Sequence, residues 1–123
     1  MVKKNKSMTT PKINSYQFGR IVIDNQVYSQ DVIILPDGML SSWRRNQGHS
    51  LSVDDLTVAL AASLDVLVIG QGTISRMLVP METRLALEAA GMELIVTSTE
   101  NACQVYNDLR EQKRVSAALH LTC

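Results

Sequence analysis

The sequence predicts an α/β domain. Asp65 to Gly72 is a continuous apolar run of strand length closed by Gly70-Gln71-Gly72, the pattern of a strand buried on both faces. After it, segments of helical and strand periodicity alternate, and before it come shorter β pieces. The 123 residues suit one domain, and 46% hydrophobic side chains allow a core without staples. With only 4% aromatic residues that core must be aliphatic.

The elements follow in order. Residues 1–12 hold Lys3, Lys4, Lys6 and Lys12 with no acid, and are expected to form a disordered basic tail ahead of a single domain over 13–123. Tyr16 to Ile23 reads as a strand, turned by Asp24-Asn25, since both residues tolerate positive φ. Val27 to Leu35 is a second extended piece. Pro36-Asp37-Gly38 is a turn in which Pro presets φ and Gly is expected to supply a positive one. Met39 to Trp43 returns as a short strand, making the first third a β-meander. Arg44 to Ser50 has no apolar residue and reads as a loop.

Ser52 is placed as the N-cap of the first helix, with Asp54 and Asp55 favoured in its first turn. Leu56, Ala59, Leu60 and Ser63 form its expected inward stripe. Gln71 to Val79 is irregular. Pro80 opens a second helix, Met81 to Ala90, and Gly91 ends it in the left-handed region. Met92 to Val96 is a strand. Thr97 to Glu100 matches a capping box with Thr97 as N-cap, and Ala102, Val105, Tyr106 and Leu109 face the third helix inward. Val115 to Leu121 is the final strand.

The formal charge of +0 conceals an asymmetry. Beyond the four lysines, eight basic residues face twelve acidic ones, so the folded part is near −4. That argues against a nucleic-acid surface. Residues 1–12 show no apolar stretch behind their lysines, so a secretory signal is not expected and a cytoplasmic location is. No apolar run approaches the roughly 18 residues of a membrane span.

Several groups are candidates for chemistry. Gly70, Gln71 and Gly72 end the central strand, either as a tight exit or as amides that hold a small anion. The dinucleotide fingerprint is not met: Ser75 takes the third small position, Pro80 delays the helix, and no acid ends the next strand. Thr97, Ser98 and Thr99 either cap a helix or hold a phosphate or carboxylate there. The carboxyl ends of the strands around Leu67, Leu94 and Ala118 share one edge. If the last strand runs parallel to the others, His120 joins it. His120 and Cys123 point to opposite faces of an extended strand, so no metal site is expected, and no cofactor. Cys103 reads as a buried, inert thiol, and no carboxylate pair forms an acid/base set, so no catalytic residue is assigned. Trp43, Arg44, Arg45 and His49 are the candidate partner surface, an aromatic with two guanidiniums and an imidazole.

The carboxyl-terminal half carries a family resemblance. Asn101-Ala102-Cys103, Tyr106-Asn107-Asp108-Leu109 and Arg114 through Cys123 resemble a small α/β family of unknown biochemical function. That family includes the mitochondrial complex I assembly factor 3 and the adipogenesis-associated Mth-type domain protein. Leu67 to Gly72, Trp43-Arg44, His49-Ser50, Phe18-Gly19 and Asp31 fit the same pattern, from about residue 14 onward. The resemblance implies a three-layer fold with a mixed central sheet, helices packed on it, and the N-terminal β-meander as a side layer. It implies no catalytic residue. It does imply protein partners, which makes a non-enzymatic binding module that assists assembly of a complex the first functional expectation. A small-anion or nucleotide-binding protein is the alternative.

Overall fold

A computed structural model describes residues 10–123; the lysines at 3, 4 and 6 lie outside the described residues. Among the described residues, eight strands and three helices form two sheets and their cover. Strands β1 (Ile13–Gln17), β2 (Arg20–Ile23) and β3 (Gln26–Tyr28) make a three-stranded antiparallel sheet. Strands β4 (Val32–Leu35), β5 (Gly38–Leu40), β6 (Val66–Gly70), β7 (Glu93–Thr97) and β8 (Val115–Leu119) make the central sheet, in the order β5-β4-β8-β6-β7. β6 runs parallel to both β7 and β8, whereas β4 is antiparallel to β8. The helices are α1 (Thr57–Leu60), reached through the 3-10 turn Val53–Leu56, then α2 (Met81–Ala89) and α3 (Thr99–Leu109).

Strand alternation explains the layers. Val66, Val68, Ala117 and Leu119 face α3 and the small sheet, packing with Ile21, Ile23, Ala102 and Tyr106. Leu67, Ile69 and Ala118 face the other side, against Trp43, Leu56, Ala59, Met77 and Leu87. Every residue of β6 is buried, as its unbroken apolar run demands. The three-layer mixed α/β architecture expected from the resemblance is the one observed.

Several boundaries differ, each for a local reason. Tyr16 to Ile23 is not one strand: Phe18-Gly19 turns the chain, with Gly19 at φ +75°, and Asp24-Asn25 then makes the second turn at φ 49° and 67°. Val27 to Leu35 divides at Ser29–Asp31 because its two halves belong to different sheets. Gly38 pairs with Leu35 and needs no positive φ; that conformation falls at Gly19, Gly72 and Gly91 among the described glycines. Ser42 at φ 61° ends the strand expected to reach Trp43. The first helix shrinks to a 3-10 turn and one α turn, and Ser63, at φ 55°, is exposed rather than inward. Ser98, not Thr97, caps α3, accepting from the Asn101 amide.

Of the expected tail, residues 1–9 lie outside the described residues, and packing against the domain is already present at Thr10. Thr10 and Pro11 are buried: Thr10 Oγ1 donates to the Pro36 carbonyl (2.8 Å), and Tyr106 Oη donates to that of Pro11 (2.5 Å).

Candidate functional site

The carboxyl ends of β6, β7 and β8 do meet at one rim, because all three strands are parallel. Gly70 leaves β6 against Thr99, where an added Cβ would lie 2.9 Å from Thr99 Oγ1 and 3.0 Å from Thr99 Cα. Gly72 stands at φ +107°, and a Cβ there would lie 2.6 Å from the Cys123 carbonyl. Both glycines are therefore required by close approach of backbone.

The donors at this rim are engaged within the chain. Gly72 N–H donates to Thr99 Oγ1 (2.8 Å), and that buried hydroxyl donates to the His120 carbonyl (2.6 Å). Gln71 N–H donates to the Thr97 carbonyl and Thr99 N–H to that of Gly72. Gln71 Nε2 donates to the Met77 carbonyl. Thr73 and Arg76 amides hold the carbonyls of Thr122 and Cys123, and the His120 amide holds that of Gly70. The rim thus binds the chain that follows β8.

A second cluster sits where β8 ends. Asp31, just before β4, receives three hydrogen bonds: Arg45 Nη1 (2.6 Å), His120 Nδ1 (2.8 Å) and the Leu121 amide (2.8 Å). The Arg45 and His120 side chains are only 6% and 7% exposed. Nδ1 of His120 also lies 3.1 Å from Arg45 Nη2, and it cannot donate and accept at once. We assign its proton toward the carboxylate, since Arg45 Nη2 has the Gly48 carbonyl at 2.9 Å. Burial pushes the Asp31 carboxyl up, but the bonds from His120, the Leu121 amide and Arg45 outweigh it and hold the group below its ordinary value.

Trp43 completes the cluster from beneath. Its Nε1 donates to the Asp55 carbonyl (2.9 Å), and Arg45 Cζ stands 4.8 Å above its ring. Arg45 Nε is buried without a hydrogen-bond partner, so the aromatic face is what compensates the guanidinium there. His49 covers His120 edge-on with ring centroids 5.7 Å apart, and its Nε2 lies 3.9 Å from Cys123 Sγ.

Chemically, an Asp–His pair of this kind orients an imidazole and leaves Nε2 as a base. Here Nε2 is enclosed by Thr122 Oγ1 at 3.4 Å and by the His49 ring. The cluster works as a clamp: it ties β4, the 41–50 loop and the end of β8 to one carboxylate.

The candidate residues therefore separate. Trp43 is buried and the Arg45 side chain is turned inward onto Asp31, whereas Arg44 and His49 are exposed. His120 belongs to the clamp as well as to the rim. Among the described residues, no group of His, Cys, Asp or Glu could hold a metal ion.

Sequence reasoning missed two features. Asp31 carries no local signal, because its side-chain partners lie 14 and 89 residues away. The other is an exposed apolar set: Ile74, Leu78, Met81 and Leu85 are 62%, 62%, 66% and 57% accessible. Its signal was present in α2. Thr83 and Leu87 are the buried pair, and Met81 and Leu85 lie two residues, about 200°, away. A helix apolar on opposite faces cannot bury both. Leu78 sits beside the polar loop, since its amide donates to the His49 carbonyl and its carbonyl accepts from Leu51.

Residues 13–120 match a family described as a protein of unknown function, DUF498/DUF598. The chain belongs to this family. Solved structures agree with that. A conserved hypothetical protein of Pyrococcus horikoshii is 28% identical with a TM-score of 0.80, over 91% of this chain and 99% of that one. An outer membrane protein from Bartonella henselae shares the fold at 24% identity and TM-score 0.80, over 93% and 97% of the two chains. A Mth938-like domain of Bordetella pertussis shares it at 22% and 0.76, over 98% and 92%. The family is thus the small Mth-type α/β group of unknown function. Among its described residues this member has no helix long and apolar enough to cross a membrane.

Proposed function

We propose that this domain is a non-enzymatic binding module that docks a protein partner and assists assembly of a complex. The observation that carries the reading is the exposure of four large apolar side chains within twelve residues, Ile74, Leu78, Met81 and Leu85, of which Leu78 is hydrogen-bonded to the His49 loop. A cluster of large exposed apolar side chains marks a surface that another molecule covers. Exposed Arg76 and half-buried Arg84 share that stretch with exposed Glu82 and Glu88, so the complementary occupant is a protein segment with apolar anchors and flanks of mixed charge. A depression of about 390 Å³ lined by Gln30, Asp31, Trp43, Arg44, Arg45 and Gly48 extends the same loop's relief. The enclosed His120 supports a role without catalysis, and the acidic balance of the folded part supports a protein over a nucleic acid.

The test compares co-purification from native lysate by wild type, Leu78→Asp/Leu85→Asp and Val27→Asp. Val27 is equally exposed but lies on the small sheet, so it serves as the control. A partner held by wild type and V27D and lost by the double variant is expected, with retention falling as salt rises. A partner that survives the double variant removes the proposal, as does the absence of any. A small anion or nucleotide at the Gly70–Gly72 and Thr97–Thr99 rim is the lesser reading, because the Gln71, Gly72 and Thr99 amides already have acceptors. Thermal stabilisation by phosphate or nucleotides would revive it.

A further inference from the structure

The central sheet has two edges, and β7 is one of them. Glu93 N–H donates to the Asp65 carbonyl and the Thr97 carbonyl accepts from Gln71, so the odd-numbered residues of β7 turn their backbone toward β6. By alternation, the N–H and C=O groups of Leu94 and Val96 point outward. Among the described residues no strand pairs with that side. Folded proteins usually protect such an edge with Lys, Pro, a bulge or a covering segment. Glu93-Leu94-Ile95-Val96-Thr97 contains neither Lys nor Pro and keeps unbroken register with β6.

We propose that a second copy of this chain pairs with β7 antiparallel about a twofold axis through Ile95, joining the two central sheets into one of ten strands. This register pairs the outward groups of both Leu94 and Val96 within the strand. Leu94 faces Val96 of the second copy and Val96 faces its Leu94, both as hydrogen-bonded pairs, giving four bonds in all. Ile95 faces its own counterpart as a non-hydrogen-bonded pair, where side chains approach most closely.

Charge placement agrees with a self-pairing. Glu93 meets Thr97 of the second copy rather than another carboxylate, and Ser98 there caps the N-terminus of α3. A carboxylate is favoured beside that end of the helix dipole. Side-chain parity puts Glu93, Ile95 and Thr97 on the α3 face, next to a groove of about 340 Å³ lined by Val105, Asp108, Leu109 and Lys113. Leu94, Ile95 and Val96 are half-buried in the single chain, so pairing removes further apolar surface from water.

Two variants test the register. Val96→Pro deletes an outward N–H that serves no bond within the chain, so the monomer keeps its ladder. It removes two intermolecular bonds per dimer, and sedimentation equilibrium should show the dimer weakened about thirtyfold. In a Cys123→Ser background, Ile95→Cys should cross-link to a dimer under mild oxidation and Glu93→Cys should not, because only position 95 meets itself. A wild type that stays monomeric at millimolar concentration overturns the proposal. So does a dimer indifferent to V96P, or equal cross-linking at 93 and 95. If V96P does not fold, the cysteine pair decides alone.

Discussion

Replacing Asp31 by alanine should be among the most damaging single changes at this surface. The carboxylate accepts from Arg45, His120 and the Leu121 amide, and the Arg45 side chain is 6% exposed. Without Asp31, a buried guanidinium loses its counter-charge, which typically costs about 3–5 kcal/mol. For a domain of this size that corresponds to a fall of about 10–20 °C in melting temperature. Replacing both partners, as in Asp31→Leu/Arg45→Met, removes the stranded charge along with the pair and should recover much of the loss. The pH dependence gives an independent readout. The folded carboxyl lies below the ordinary aspartate value, so its stabilisation is complete above the unfolded value and drains as pH falls through the folded one. Asp31→Asn should flatten that acid limb while costing less at neutral pH. Urea titrations of the four proteins between acid and neutral pH supply the comparison. A loss below about 1 kcal/mol in D31A, or an acid limb unchanged in D31N, would refute the clamp.

Other consequences can be checked with the same equipment. Gly70→Ala should cost about 1–3 kcal/mol in denaturant unfolding, since its Cβ enters within 3.0 Å of Thr99 and Leu119. Gly72→Ala should be worse, because strain at φ +107° adds to a 2.6 Å contact with the Cys123 backbone. Burial, with Glu100 nearby, pushes the Cys103 thiol up to about 12, so a thiol reagent at mild alkaline pH should titrate one cysteine in the native protein and two after unfolding. Tyr106→Phe removes the buried bond to the Pro11 carbonyl and should cost about 1–3 kcal/mol, read by thermal melting.

What the sequence displayed was local. Val66 to Ile69 announced a doubly covered strand because its apolar run has no alternation, and Pro80 and Gly91 bracketed α2 because each suits one helix end. The resemblance supplied the mixed sheet and the side layer, which no periodicity reveals. Gly70, Gly72 and Thr99 were singled out correctly as a meeting place. Their occupant was not legible, because the chain after β8 fills the rim and no local pattern says that residue 123 returns to residue 72. Trp43 and Arg45 looked like a surface grip because their loop holds no apolar residue. Asp31, 14 residues earlier, draws the arginine inward instead. The strand expected to reach Trp43 and the helical stripe expected to reach Ser63 both stopped short where a serine adopted positive φ, at Ser42 and Ser63, since serine permits that conformation without demanding it.

The position of β8 has a consequence for how the molecule comes into being. β4 with β5, and β6 with β7, are each complete as pairs, yet among the described residues their strands are joined into one ladder by Val115–Leu119, which lies between them. Until that segment arrives, the nascent chain holds two half-built layers with raw inner borders and no seam. Its keystone is synthesised after both pairs, so maturation is expected to be slow, non-local, and dependent on holding those borders apart meanwhile.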